Sequence, residues 1–184
     1  PIQCISVDNK LFVTCSAGIW VHPFTGEQTI IQGKLQMWNS DTMSLLDTIE
    51  LGEHTAPWHA KESPTDNVVY VALGGDNLYD TEGLACVRYD NNILTLDWIS
   101  NDISFNALHG VDVSSDGQRI YVSGRGDGNI HVFNSSGDFI DNVSLGSMSS
   151  SHSTGIDNVF EISPASKVRE PEGILAKSML SVVT

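Results

Sequence analysis

HGVDVSSDGQRIYVSGRGDGNIHVFN, residues 109–134, decides the fold. It holds two β-rich runs. Asp116-Gly117 stands before the first as hairpin chemistry, because glycine supplies the positive φ that a tight turn needs. The run Arg119-Ile-Tyr-Val-Ser123 carries an aromatic in third place and recurs as Lys10-Leu-Phe-Val-Thr14 and Val68-Val-Tyr-Val-Ala72. The run GNIHVFN (128–134) recurs as GKLQMWN (33–39) and LACVRYD (84–90), each ending in an aromatic and then Asn or Asp. A third run closes each unit: SLLDTIELG (44–52), NILTLDWIS (92–100) and DFIDNVSLG (138–146). A short run opens each one: Gln3–Val7, Trp58–Lys61 and Leu108–Val113.

Each unit therefore has four short strands, a to d, with almost no helical periodicity between them. Four antiparallel strands per repeat of about 40–50 residues is the pattern of a β-propeller blade. A β-sandwich could hold twelve strands, but it does not predict the same ordered a-b-c-d consensus three times. The expected fold is all-β, a propeller of four-stranded antiparallel blades at about 1–53, 54–102 and 103–146. Residues 147–184 read as a polar linker plus a divergent fourth blade or C-terminal extension, since Thr154-Gly155-Ile156-Asp157 echoes His109-Gly110-Val111-Asp112. In the first unit, residues 16–32 lie between strands b and c. Folding about Thr25-Gly26 pairs Ile19–His22 with Thr29–Gln32, and pairs Val13 with Met37, which makes one long b–c hairpin projecting as an arm. The alternative is a strand pair that belongs to a neighbouring blade.

The 184 residues carry 23 Asp+Glu against 9 Lys+Arg, a net charge of −14, and are 40% hydrophobic. That apolar fraction can build a core. The acidic excess argues against non-specific nucleic-acid binding and against docking on anionic lipid, which both need a basic surface. No run of about 18 apolar residues exists to cross a membrane as a helix. The chain opens on Pro1 with no Met and no leader, which suggests a processed chain or a piece of a longer one. Three cysteines make no disulfide framework. A tight turn at Asp8-Asn9 sets Cys4 opposite Val13, so a Cys4–Cys15 bridge would need a register shift. Few lysines, abundant Ser, Thr, Asn and Gly, and sequons at Asn134 and Asn142 suggest an extracellular or periplasmic protein.

The stretches 109–134 and 56–75 resemble the YVTN or YncE-like β-propeller repeats, relatives of the cytochrome d1-type propellers. The match runs over about residues 54–146 and more loosely over 3–52. The family includes cell-surface proteins, periplasmic proteins and a few redox enzymes, so the resemblance implies a fold more than an activity. The chain lacks a Trp-Asp strand ending, the repeated Ala-Trp pattern of quinoprotein propellers and a CxxCH haem motif. The resemblance therefore favours a binding or scaffold propeller over a redox enzyme.

Propellers use about 4–8 blades, and an open arc leaves two apolar sheet faces in water. Three resolutions stand open. The chain is part of a longer propeller, it completes the ring with another chain, or residues 147–184 make a compact four-bladed ring.

His59 and His109 hold equivalent places at the start of strand a. Cys4 is the counterpart in blade 1, and His152 lies two residues before the counterpart in blade 4. Three imidazoles and a thiol converging on one axis suit copper or zinc. In the related repeats, histidine at this place commonly serves packing and hydrogen bonding to the next blade, and that reading is the stronger one. Connectivity puts His59, His109, the arm, GGDNLYDTEG (74–83) and GRGDG (124–128) on one face, where loops concentrate binding residues. Asp76, Asp80 and Glu82 suit a calcium ion, with a solvated acidic turn as the favoured alternative. Arg125-Gly126-Asp127 is an RGD tripeptide on an expected hairpin loop, although Gly-Asp-Gly is ordinary turn chemistry. Trp20, His22 and Phe24 on the arm are candidate interface anchors.

No Ser-His-Asp arrangement, P-loop, paired-carboxylate motif or dinucleotide fingerprint occurs. The expected function is a non-catalytic protein-interaction or structural module of a cell-surface or periplasmic assembly. The alternatives are a periplasmic redox propeller with a metal or haem at its axis, and a calcium-stabilised adhesion module.

Overall fold

The computed structural model describes residues 1–76, 79–100 and 107–145; for Trp20, Asp76 and residues 79–81 only the backbone is described. The expected fourth blade and His152 lie outside the described residues. Everything described belongs to one compact unit, Pro1–Ser149, distinct from Ser150–Thr184.

Among the described residues there is no helix. The strands are β1 (Gln3–Val7), β2 (Lys10–Cys15), β3 (Gly18–Val21), β4 (Gln28–Ile31), β5 (Gly33–Asn39), β6 (Leu45–Gly52) and β7 (Pro57–Glu62). They continue as β8 (Val68–Asp76), β9 (Tyr79–Asp90), β10 (Ile93–Ser100), β11 (Leu108–Val113), β12 (Arg119–Gly124), β13 (Asn129–Asn134) and β14 (Phe139–Ser144). Three four-stranded antiparallel sheets result, β1-β2-β5-β6, β7-β8-β9-β10 and β11-β12-β13-β14, which are the three expected blades. The turns follow local chemistry. Asn91 and Asn92 have φ of 46° and 65°, the double positive φ that a two-residue hairpin between β9 and β10 requires. Gly117 and Gly137 supply φ of 72° and 88° in blade 3.

The blades pack face to face. Strand β8 alternates, so Val69, Val71 and Leu73 join Phe12, Leu35 and Met37 of blade 1 in one buried cluster. On its other side Val68, Tyr70 and Ala72 join Leu108, Ile120, Val122 and Phe133 of blade 3 in a second. The period of two along a strand is what lets one sheet supply two cores. Polar bonds seal both junctions. Thr14 Oγ1 donates to the Trp58 carbonyl at 3.0 Å, and the Leu94 amide donates to Asp47 Oδ2 at 2.7 Å. Lys61 pairs with Asp112 at 3.0 Å. The first strands β1, β7 and β11 run beside one another in succession, the arrangement expected of successive blades. The sheets do not close, and the described arc is a partial propeller.

Three local expectations are corrected or completed. The arm exists as the β3–β4 hairpin, but its pairs are Ile19 with Ile30 and Val21 with Gln28, and Val13 lies opposite Gln36. The turn sits earlier than Thr25-Gly26 because His22 closes it. The His22 amide donates to Glu27 O, the Gly26 amide donates back to His22 O, and Gly26 takes a φ of 72°. The two ladders share one register but part at Ala17, whose amide turns to Thr55 O at 3.0 Å. In blade 2 the expected loop 74–83 is largely strand, since Gly74 pairs with Glu82 and Asp76 with Tyr79. Cys4 lies opposite Val13 as the turn at Asp8 requires, and all three cysteines are free thiols.

Candidate functional site

The pairing register of the first strands positions the site. Strand β1 pairs with β2 without interruption from Gln3 to Val7. Strand β7 instead slips between Pro57 and Ala60, and β11 slips between Leu108 and Val111. Each slip is one extra residue, a β-bulge, at the same repeat position in blades 2 and 3. A bulge breaks the alternation of side chains and re-aims the residues it holds. Here it re-aims Trp58-His59 and His109-Gly110, so the expected equivalence is corrected: the repeat counterpart of His109 is Trp58 and not His59, and Cys4, opposite Val13 on the unbulged β1, matches Ala60 and Val111.

The re-aimed rings meet. Trp58 stacks on His109 with ring centroids 4.9 Å apart, and His59 meets His109 edge to face at 4.7 Å. Glycines make room for them. A side chain at Gly74 would strike the Trp58 indole and the Leu108 carbonyl. The bulge at Gly110 is satisfied by Ser123, whose Oγ accepts the Gly110 amide at 2.9 Å. Burial, then His59, then Arg125 hold the His109 imidazole below its ordinary value of 6.5. His109 is therefore neutral at neutral pH, which suits ring stacking and leaves its nitrogens free of a second proton.

Of the expected axial set, His59 and His109 are thus brought into contact. Cys4 is exposed on β1. Among the described residues no three His, Cys, Asp or Glu side chains gather closely enough to hold a metal ion. Asp76 and Asp80 sit on the extended β8–β9 hairpin rather than on a loop, with their side chains outside the described residues. The Glu82 carboxyl lies against Gly75, where a Cβ would meet its Cδ at 2.8 Å.

The RGD tripeptide is divided by the fold. Arg125 is exposed. Asp127 turns inward, with Oδ1 accepting the Asn129 amide at 3.0 Å and Oδ2 2.9 Å from Nε2 of the buried His131. Its carboxylate is occupied in shaping the β12–β13 hairpin.

The arm is the other feature of this face. Phe24 at its tip is 92% exposed, and Ile19, Val21, Ile30 and Ile31 are exposed along it. His22 organises the tip, its Nδ1 accepting the Phe24 and Thr25 amides at 3.3 and 3.2 Å. Trp20 pairs with Thr29 in the backbone ladder; its side chain is outside the described residues. Sequence reasoning found the two histidines and the arm. The reading of Trp58 as an inter-blade packing residue agrees with its stack on His109; the bulges were missed, and the glycine following His109 was the available signal.

No protein-family model and no curated protein matches the chain. Solved structures do. A hypothetical selenium-binding protein from Sulfolobus tokodaii is 13% identical over 75% of this chain and 36% of its own, with a TM-score of 0.57. A protein from Lactobacillus plantarum is 20% identical over 71% of this chain and 42% of its own, with a TM-score of 0.51. The chain therefore spans well under half the length of either neighbour. At such identity the likeness speaks of fold alone, and the fold it shares with them is a β-propeller-like, all-β architecture.

Proposed function

We propose that this chain is an exported, non-catalytic β-propeller segment of the YVTN/YncE-like kind, acting as a structural or protein-interaction module in a cell-surface or periplasmic assembly. The observation that carries the reading is the arm. A two-stranded ribbon buries little of its own apolar surface, yet this one keeps five large apolar side chains in water, with Phe24 at the tip almost wholly exposed. An exposed aromatic on a projecting hairpin is the kind of residue that anchors an interface. The test is a photo-crosslinking side chain placed at residue 24, with a second at exposed Asp41 as control, in the cells that make the protein. A discrete covalent adduct in the envelope fraction from position 24 alone supports the reading. No adduct, or equal labelling from both positions, overturns it.

The contact of His59 with His109 favours a second reading, a metal-bearing redox propeller. Calorimetric titration with copper(II) and zinc(II) decides it. Stoichiometric binding lost in the His59→Ala/His109→Ala variant supports that reading, and no binding removes it.

A further inference from the structure

The two bulges hold different residues at one repeat position. Blade 2 presents Trp58-His59 and blade 3 presents His109-Gly110, so Gly110 stands where blade 2 has the His59 imidazole. Glycine leaves the place of that side chain open. A Cβ built on Gly110 would come within 2.9 Å of Ser123 Oγ and 3.9 Å of His59 Nδ1, and its chain neighbours apart, no other atom of the described residues lies within 4 Å. His109 borders the opening, its ring centroid 4.7 Å from that of His59. The opening lies where β7 and β11 adjoin, at the junction of blades 2 and 3, and not at an end of the described arc.

The groups around it are hydrogen-bond donors. Ser123 Oγ accepts the Gly110 amide at 2.9 Å, which leaves its hydroxyl hydrogen to donate. Each neutral imidazole carries one N–H. Arg125 reaches the same side. Its amide donates to Ala107 O at 2.9 Å, which carries the β11–β12 pairing past Gly124, and the period of two sets Arg125 on the side of Ser123. Among the described residues no carboxylate pairs with its guanidinium. The nearby acids are engaged elsewhere, Asp127 by the Asn129 amide and His131, and Asp112 by Lys61. The charged groups that act on His109 are His59 and Arg125, both basic. A chain of net charge −14 thus keeps a basic, donor-rich spot at the inner strands of two blades.

We propose that this opening is an oxyanion site, in which a carboxylate or phosphate group sits over Gly110 and accepts from the Ser123 hydroxyl, an imidazole N–H of His59 or His109, and the Arg125 guanidinium. Charge-assisted bonds from a guanidinium are the strong ones, and its fork matches the oxygens of such groups. The missing Cβ of Gly110 permits close approach of the anion to the backbone. Ser123 and Arg125 are exposed, so the site opens to solvent and binding weakens as salt screens the guanidinium. The site is separate from the arm and stands whether or not the arm anchors a partner.

The test is calorimetric titration of the full chain in EDTA with sodium phosphate and, separately, sodium acetate, at constant ionic strength. At least one anion should saturate a single site with a half-saturation at or below about 1 mM. Arg125→Gln should weaken it at least about tenfold, the loss of one charge-assisted bond. Arg119→Gln removes an equal charge from the other end of β12 and should leave binding unchanged. The saturating anion should also move the proton resonances of the His59 and His109 rings, assigned with single His→Gln variants. Saturation by phosphate alone assigns a phosphate-bearing ligand, and saturation by acetate alone a carboxylate. No saturable binding of either anion overturns the assignment. So do binding that survives Arg125→Gln, binding weakened equally by Arg119→Gln, saturation that leaves both imidazoles unmoved, and binding seen only when copper or zinc replaces the EDTA.

Discussion

Trp58 of blade 2 stacks on His109 of blade 3 across the blade junction, with ring centroids 4.9 Å apart and planes 29° from parallel. The contact depends on two bulges at one repeat position. It places a titratable side chain at the junction of two blades.

The pH dependence follows from that link. Burial, His59 and Arg125 lower the folded His109 value below the 6.5 of a free imidazole. At pH 8 the group is neutral in both states and its contribution is fully present. Below 6.5 the unfolded chain takes up the proton first, so stability falls as pH drops through the window from 6.5 to the lowered folded value, and stays reduced beneath it. Urea midpoints measured from pH 8 to pH 5 should decline in the native protein and decline less in His109→Gln. Parallel curves for the two proteins would contradict the assignment.

Gly74→Val tests the packing beneath the same indole. An added Cβ meets both the Trp58 ring and the Leu108 carbonyl. The first can shift only by disturbing His109, and the second is backbone. The substitution should cost about 1–3 kcal/mol as overpacking, read as a lower urea midpoint with an unchanged slope. It should also alter tryptophan fluorescence, because the indole must leave its stack. A variant as stable as the native protein would mean that Trp58 is free to move away.

Asp127 and Arg125 belong to one tripeptide and should behave oppositely. Asp127→Ala removes the acceptor for the Asn129 amide and the carboxylate beside buried His131. A bond to a charged group is worth about 1.5–3 kcal/mol, so the melting temperature should drop clearly. Arg125→Ala removes an exposed side chain and should change stability by no more than about 0.5 kcal/mol. Equal effects from the two would count against an inward-turned carboxylate.

The thiols should separate by rate. Cys86 is buried between blades 2 and 3, and that burial, reinforced by Asp97, pushes its thiol up to about 12. Alkylation requires thiolate and access. Mass-resolved labelling with iodoacetamide in native buffer should modify exposed Cys4 first, and Cys86 only after denaturant is added. Early labelling of Cys86 would show that the junction opens.

The three-fold recurrence of Phe12, Tyr70 and Tyr121 was legible because strand periodicity and turn residues are local properties. The turn at Asp8 likewise fixed Cys4 opposite Val13 before any coordinates. The arm was legible as a hairpin but not in its register, because the turn is closed by His22 and not by the Thr25-Gly26 pair that the residue types suggest. The loop 74–83 was misjudged for a related reason. Its glycines and acidic residues read as a turn, while pairing of Gly74 with Glu82 carries the ladder through it.

The order of the strands and most of the turns that join them were set by the sequence alone, since each depends on residues a few positions apart. The meeting of His59, His109 and Trp58, the inward turn of Asp127, and the burial of Phe12 and Tyr70 but not Tyr121 belong to the tertiary structure. The ring contacts and the burial depend on where a bulge falls, or on whether a neighbouring blade is present. Apart from the turn of Asp127, which bonds residues two and four positions on, those are contacts between segments about 50 or more residues apart, for which no short stretch of chain holds the information.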